Sequence, residues 1–467
     1  VATTAQELQD MLVYNYKDAR YATKLTRLYW EGLSKSERIG AWVECGNIVD
    51  VALSYVNGIC INKSAITPFH EDINKRIAEN EEILGHDISV VRSPKQLANL
   101  IFTEWNYEPV NTTPKGEPAT DKESLLRLAI KHEKDPRFKA LLALRKCNTQ
   151  GSKFVQSVIK STEYHGADIT RPEPIMSGAY SHRFTYSSYQ GSGKNRRQTG
   201  IALHQWERGK NARDILTAPE GFLLAEFDFS GQEMRLMAIE SEDPIMLDLF
   251  GSGGDGHALM GANIENLDYE YVKNNSDSDP RAKAARNLGK FSNLSLQYRI
   301  GIDTMMSRAL TQYNLQLWRA KAEHIKKTYL STYKRVPVYW KEAVRRANIE
   351  GYAFSRGGAR VPLNNLNDYQ QQQIAINFRI QGTGAEMKLL GINMCRSMFD
   401  EDLVYGWDLH DALFMYVRDD ANALAKVKKI QKILSNLPYK EVWGWDIPIP
   451  LPVDAKLGKT WGSLKGV

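Results

Sequence analysis

Apolar positions along most of the chain return every three or four residues, the spacing of one helical face. Residues 1–40 and 41–90 carry this period, and "DINKRIAENEEILG" has the charge-studded pattern of an exposed amphipathic helix. Residues 231–350 are mostly helical by the same spacing, and 368–398 read as one long helix. "NYEPVNTTPKGEPATD", residues 106–121, interrupts the period with proline, glycine and threonine, which predicts a loop between two helical segments. From 177 to 228 the texture changes. "GAYSHRFTYSSY" alternates aromatic and small polar residues as strands do, "SGKNRRQTG" is a basic loop, and "GFLLAEFDF" is a short buried strand. "YAFSRGGARVPL" predicts a hairpin, and "VYGWDLHDALFMYV" is two apolar runs meeting at His410-Asp411. Helices outnumber strands, the strands read as local hairpins without a βαβ rhythm, and there is no internal repeat, so the class is α+β.

Length and composition narrow the function classes. The 467 residues leave room for two or three domains; 42% hydrophobic and 25% charged residues are ordinary for a soluble globular protein. No uncharged apolar run approaches the roughly 18 residues of a membrane span. The start, "VATTAQELQDML", lacks a signal-peptide pattern, and it opens on valine, as a trimmed chain or a part of a longer one does. A membrane is therefore not an expected partner. Cys45, Cys60, Cys147 and Cys395 form no CxxC pair and read as thiols of a reducing compartment, not as zinc ligands or a disulfide framework. The net charge of +6 permits a polyanionic partner without requiring one. Lysines and arginines concentrate from 131 to 160, which suits either a solvated helix face or a phosphate-contacting surface.

Two aspartates carry the candidate chemistry. Asp228 and Asp411 each stand where an apolar strand pattern ends or turns. A carboxylate beside a core is costly unless paired or metal-bound. Alone, each fits a turn or a cap. Side by side, they would form an oxygen-lined site suited to Mg²⁺, able to hold two ions about 4 Å apart. Between them lies "DPRAKAARNLGKFSNLSLQYRIG", residues 279–301, opening on the helix-start signal Asp279-Pro280. Arg286, Lys290, Leu294 and Tyr298 recur at steps of four along one helical face. Two cations followed by an aromatic suit a nucleoside triphosphate, although an exposed amphipathic helix has the same pattern. His257, after a glycine-rich turn, adds a further donor.

Together these residues resemble a family A DNA polymerase, the group of bacterial DNA polymerase I and many phage replicative enzymes. "DFSGQEMR" is similar to the first palm motif, DYSQIELR. The resemblance implies that Asp228, with the backbone carbonyl of Phe229, binds metal. It also makes Glu233 the glutamate that screens the sugar, and Arg235 the motif's arginine near DNA. "RNLGKFSNLSLQY" resembles the fingers helix, which carries the triphosphate roles to Arg286 and Lys290 and the place beside the templating base to Tyr298. "GDGHALMGA" gives His257 a phosphate contact, and "INFRIQGTGAE" gives Asn377 and Gln381 DNA contacts. "LHDA" resembles HDE, with Asp411 the second metal ligand and His410 at the primer end. "SPKQLANLIF" (93–102) resembles the thumb, and Tyr14 to Asp18, "YNYKD", the third motif of the family's 3′–5′ exonuclease.

The resemblance implies a right-hand fold with an antiparallel-sheet palm, helical fingers and a helical thumb. Its parts would be an exonuclease-like remnant at 1–45, thumb at 46–175, palm at 176–240 and 375–467, and fingers at 241–374, with no proofreading from this chain alone. It implies template-directed addition of dNTPs to a primer 3′-hydroxyl in replication, with two Mg²⁺ ions and primer–template DNA as partner. A processivity factor or an upstream exonuclease or helicase portion stays open. The setting expected is the cytoplasm, a bacterial host's for a phage enzyme, with an organelle left open. Four departures matter. Ala412 replaces the glutamate of HDE; Leu294 replaces an aromatic that influences acceptance of 3′-deoxy nucleotides; Ile201 replaces the arginine of TGR, for which Arg196 or Arg197 would substitute; and Gln373 stands where arginine is common. They favour a phage or other viral replicative type. The rival readings are an inactive DNA-binding remnant, through Ala412, and a single-subunit RNA polymerase relative, which Glu233 opposes.

Overall fold

The computed structural model describes residues 30–467, apart from 177 and 208, together with residues 20, 24 and 27. Tyr14 and Asp18 lie outside the described residues. The class is α+β, as the periodicity predicts. Helices α1 (Lys63–Leu84) and α2 (Pro136–Thr149) pack along one another. Phe69 and Ile73 of α1 and Phe138, Leu141 and Leu144 of α2 are buried. The charged positions of "DINKRIAENEEILG" face outward, as an amphipathic period requires. One element of this region escapes the helical reading. Ile59–Ile61 is a strand, paired antiparallel with Ile169–Thr170 and Leu216–Thr217. Three residues are too few for a period to register.

A five-stranded antiparallel sheet holds the other core. Its strands are β1 (Phe222–Phe229), β2 (Leu403–Leu409), β3 (Ala412–Arg418), β4 (Val453–Gly458) and β5 (Lys465–Gly466), in the order β2-β3-β1-β4-β5. The β2–β3 hairpin is the local pair expected around His410-Asp411. The expectation that all strands form local hairpins is corrected by β1, whose neighbours β3 and β4 are both remote in sequence. β1 and β3 are buried along most of their length, so alternation could not reveal which strands they join. Trp407 stacks on Phe414 across the hairpin, 4.9 Å between ring centroids.

"GAYSHRFTYSSY" is less regular than its alternation predicts. Only Thr185–Ser187 and Tyr189–Gln190 are strands, and His182 takes a left-handed conformation (φ 56°) that breaks the extension before them. The Tyr352–Phe354 and Arg360–Pro362 hairpin forms as expected.

From β1 the chain turns through Gly231 into α3 (Gln232–Ser241). The α4 helix (Gly256–Glu265) then crosses α5 (Pro280–Leu296). Asp279 caps α5 by accepting from the Arg281 and Ala282 amides. A Cβ on Gly289 would lie 2.1 Å from the His257 carbonyl oxygen, and one on Gly261 2.1 Å from that of Ala285. The two helices therefore touch backbone to backbone, which only glycine permits. The long helix α6 (Asp368–Cys395) lies against α3 and against α7 (Ala423–Leu434), which packs on the sheet.

Candidate active site

The register of the sheet brings the two aspartates together. Asp228 is the cross-strand partner of Ala412 on one side and of Asp454 on the other. Directly opposed residues share a face of the sheet. Asp411 precedes Ala412 in the β2–β3 turn, and its carbonyl oxygen accepts from the Phe229 amide at 3.4 Å. Burial first, then the neighbouring Asp411 and Glu226 charges, push the Asp228 carboxyl up to about 6. His410 is held at φ 52°, a left-handed conformation that costs a side chain with a Cβ.

Glu233, in the first turn of α3, is not a solvated helix residue. Its Oε2 accepts from the Tyr298 hydroxyl at 2.5 Å and the Gln297 amide at 2.9 Å. Its Oε1 accepts from Arg183 at 2.7 Å and Gln381 at 3.3 Å. The uninterrupted helical face that steps of four predict does not form: α5 ends at Leu296, and Tyr298 follows in a turn, which lets Gln297 reach the same carboxylate.

Arg183 is the residue the sequence reading missed. Its guanidinium spans Glu233 Oε1 and Asp411 Oδ1, 2.7 and 2.6 Å away, and those two charges hold it protonated against burial. It stands within "SHRFTY", a stretch whose alternation drew attention to strand structure and away from its one arginine.

The cationic helix brings Lys290 and Leu294 to the same place. A cavity of about 570 Å³ is lined by Asp228, Glu233, His257, Lys290, Leu294, His410 and Asp411, with Phe229 and Arg183. Burial pushes His257 down to about 4, so its imidazole is neutral at pH 7 and donates or accepts without charge. Arg286 stands apart from this lining; its Nε donates to Asp255 at 2.7 Å, and Asp255 caps α4 through the His257 and Ala258 amides. A second cavity, about 750 Å³, shares Arg183, Glu233 and Leu294 and adds Tyr298, with Gln373, Asn377 and Gln381 from one face of α6. The Asn377 Oδ1 is buried there without a hydrogen-bond partner.

Besides Arg286, three residues are not brought to either cavity. Arg235 donates to the carbonyls of Ser230, Phe250 and Pro450 and lies over the Phe250 ring, so it braces the turn after β1. Arg196 stacks 3.9 Å over Tyr189, and Arg197 donates to the Lys194 carbonyl, both on an exposed hairpin. Ile201, which stands where TGR has its arginine, is fully buried.

The donor set fits Mg²⁺. Among the described residues there is no cluster of three or more metal-ligating side chains. Mg²⁺ is commonly held by one or two carboxylates together with substrate phosphates, not by an all-protein cage. Asp228 and Asp411 crowd each other, and Arg183 supplies the positive charge that Asp411 meets.

Burial of Asp228 beside these charges has a measurable consequence. The folded state binds a proton at Asp228 more tightly than the unfolded chain, so ionising it costs stability as pH rises between about 4 and 6. Asp228→Asn removes that cost and stabilises the metal-free protein by about 1–3 kcal/mol at pH 8. The gain shrinks as pH falls from 6 to 4. Urea unfolding in EDTA at pH 8 and pH 4 checks it; equal gains at both would assign the effect to something other than this charge.

Comparison with known proteins places the chain among relatives. Residues 62–463 match the model of DNA polymerase family A. The chain is 24% identical to DNA polymerase I of Aquifex aeolicus over 97% of its own length and 72% of that protein's. It is 23% identical to DNA polymerase I of Lactococcus lactis and 22% to a DNA polymerase of Bacillus phage SP01. It spans 44% and 42% of those two proteins, less than half of each. Among solved structures, the polymerase domain of Pol1 from M. smegmatis, in complex with DNA primer–template and dNTP, superposes with a TM-score of 0.72. The sequences there are 20% identical over 88% of this chain and 69% of that one. Among the described residues, no helix is long and apolar enough to cross a membrane.

Proposed function

The chain belongs to DNA polymerase family A, and from that premise we propose that it copies a DNA template by adding dNTPs to a primer 3′-hydroxyl. The observation that carries this reading is the meeting of Asp228, on β1, with Asp411, in the β2–β3 turn, in one cavity with His257, Lys290 and Glu233. The hydroxyl oxygen bonds the α-phosphorus and pyrophosphate leaves. Asp228, Asp411 and the Phe229 carbonyl would hold two Mg²⁺ ions, which when bound activate the hydroxyl and stabilise the leaving pyrophosphate.

The side chains do the positioning. Lys290 lines the cavity at the triphosphate end, and neutral His257 adds a hydrogen bond there without a further charge. Arg286 exchanges Asp255 for phosphate when α5 closes on the nucleotide. Arg183 releases Asp411 as the nucleotide and ions arrive and keeps Glu233. Glu233, fixed by four donors, occupies the space a ribose 2′-hydroxyl would need. Tyr298 lies beside the templating base, and Asn377, Gln381 and His410 face the primer–template. Arg235, Arg196 and Arg197 reach DNA only from outside the two cavities. The assignment makes 46–175 the thumb, 241–374 the fingers and the rest from 176 the palm, with 1–45 the end of an exonuclease-like domain, in a replicative enzyme of phage type.

Primer extension with Mg²⁺ and all four dNTPs tests the reading. Tight primer–template binding without extension would instead select the inactive remnant that Ala412 suggests. Leu294, half-buried where the two cavities meet, sets a further expectation. Leu294→Tyr places a hydroxyl where a missing sugar 3′-hydroxyl can be replaced, a hydrogen bond worth about 0.5–1.5 kcal/mol, so dideoxynucleotide incorporation rises by up to roughly tenfold. Chain termination unchanged at equal ddNTP:dNTP ratio would count against Leu294 as that position.

A further inference from the structure

Beneath the turn that carries Asp411 lies a buried ion pair. Lys388 on α6 and Asp408 on β2 are each 1% exposed, and the Lys388 ammonium donates to an Asp408 carboxylate oxygen. The same ammonium donates to the His410 carbonyl at 3.2 Å. The other Asp408 oxygen accepts from the Tyr186 hydroxyl at 2.7 Å, and the Phe184 ring lies 5.2 Å from the ammonium. A buried pair is weak support for stability, because apolar residues of the same volume often serve as well. This one stands at the left-handed His410, a residue whose conformation the surroundings must impose. Asp411 follows directly. Tyr186 comes three residues after Arg183, so the network also anchors the segment whose guanidinium meets Asp411.

We propose that Lys388 is a positioning residue: held by Asp408, its ammonium fixes the His410 carbonyl and so aims the Asp411 carboxylate. The kinetic consequence rests on the polymerase reading; the ordering of the turn does not.

The test is the full chain carrying Lys388→Met with Asp408→Asn. This double change removes both charges, keeps an acceptor for Tyr186 and leaves no lone buried ion, so it should fold with a near-native melting temperature. In it, amide hydrogen exchange of the peptide covering 407–413 should quicken by roughly tenfold or more, with the rest of the sheet unaffected. The kcat for dNTP addition should fall by roughly tenfold or more, with the dNTP KM within about threefold. A folded double variant with native exchange and native kcat overturns the proposal, as does a rise in KM alone. Should the double variant not fold, the wild-type chain still decides. Its 407–413 amides should exchange as slowly as those of β3, and exchange at the rate of the exposed 191–195 loop overturns the proposal. A wild-type chain that extends no primer would refute the polymerase reading, and the exchange arm would still judge Lys388.

Discussion

Asp228→Ala and Asp411→Ala should each lower primer extension on the order of 10³-fold or more, while primer–template affinity stays within about threefold. Affinity for nucleic acid comes mainly from cationic contacts to phosphates spread over a wide surface, which neither substitution touches. The acceleration comes from charge stabilisation at one point, where each aspartate is half of the carboxylate pair. Asp228→Ala should keep its fold. Its carboxyl, pushed up to about 6, opposes folding at pH 8, so removing it should leave the protein no less stable. In Asp411→Ala, Arg183 keeps Glu233 as partner and is not left as a lone buried charge. Single-turnover extension and equilibrium binding on one primed template measure both quantities. Full activity in either variant would end the reading of a shared divalent-cation site.

Glu233→Ala should admit ribonucleotides. A side chain that forces an added hydroxyl into occupied space imposes about 1–3 kcal/mol, so relieving it lowers dNTP-over-rNTP selectivity by roughly 5- to 150-fold. The cause can be separated from charge. Glu233→Gln keeps the volume and loses the carboxylate, so it should retain rejection of ribonucleotides while weakening the Arg183 contact. Glu233→Ala also strands the hydroxyl of Tyr298 and the amide of Gln297, at a cost of about 1–3 kcal/mol for each buried donor left unpaired. A lower melting temperature is therefore expected beside the change in selectivity. Unchanged rNTP rejection in the Ala variant would place the gate elsewhere. Equal loss in Ala and Gln would make the gate electrostatic.

Much of this site is legible in one dimension because its parts are local. Asp279-Pro280 starts α5 by a mechanism that spans three residues. Gly289, between Leu288 and Lys290, is the kind of residue a close helix crossing demands, but the sequence does not say which helix it meets. The α-helical period extended to Tyr298 predicts a straight face, and the chain instead turns after Leu296. Periodicity reports where a residue points and is blind to where the helix stops when no breaker marks the end. Arg196 and Arg197, the expected substitutes for the missing arginine of TGR, lie on an exposed hairpin, where the first stacks on Tyr189 and neither lines a cavity.

The residues themselves determined the class, most of the helices and the Tyr352–Pro362 and β2–β3 hairpins, and which side chains were candidates for the site, because spacing, capping and side-chain type act over a few positions. Only the folded chain decided the partners. Burying β1 between β3 and β4 opposed Asp228 to Ala412 and Asp454. The same packing drew Arg183 across 228 positions to Asp411 and sealed Lys388 against Asp408. Such contacts form where desolvating a charge demands an opposite charge beside it, and that partner is chosen by packing in three dimensions, which no local pattern encodes.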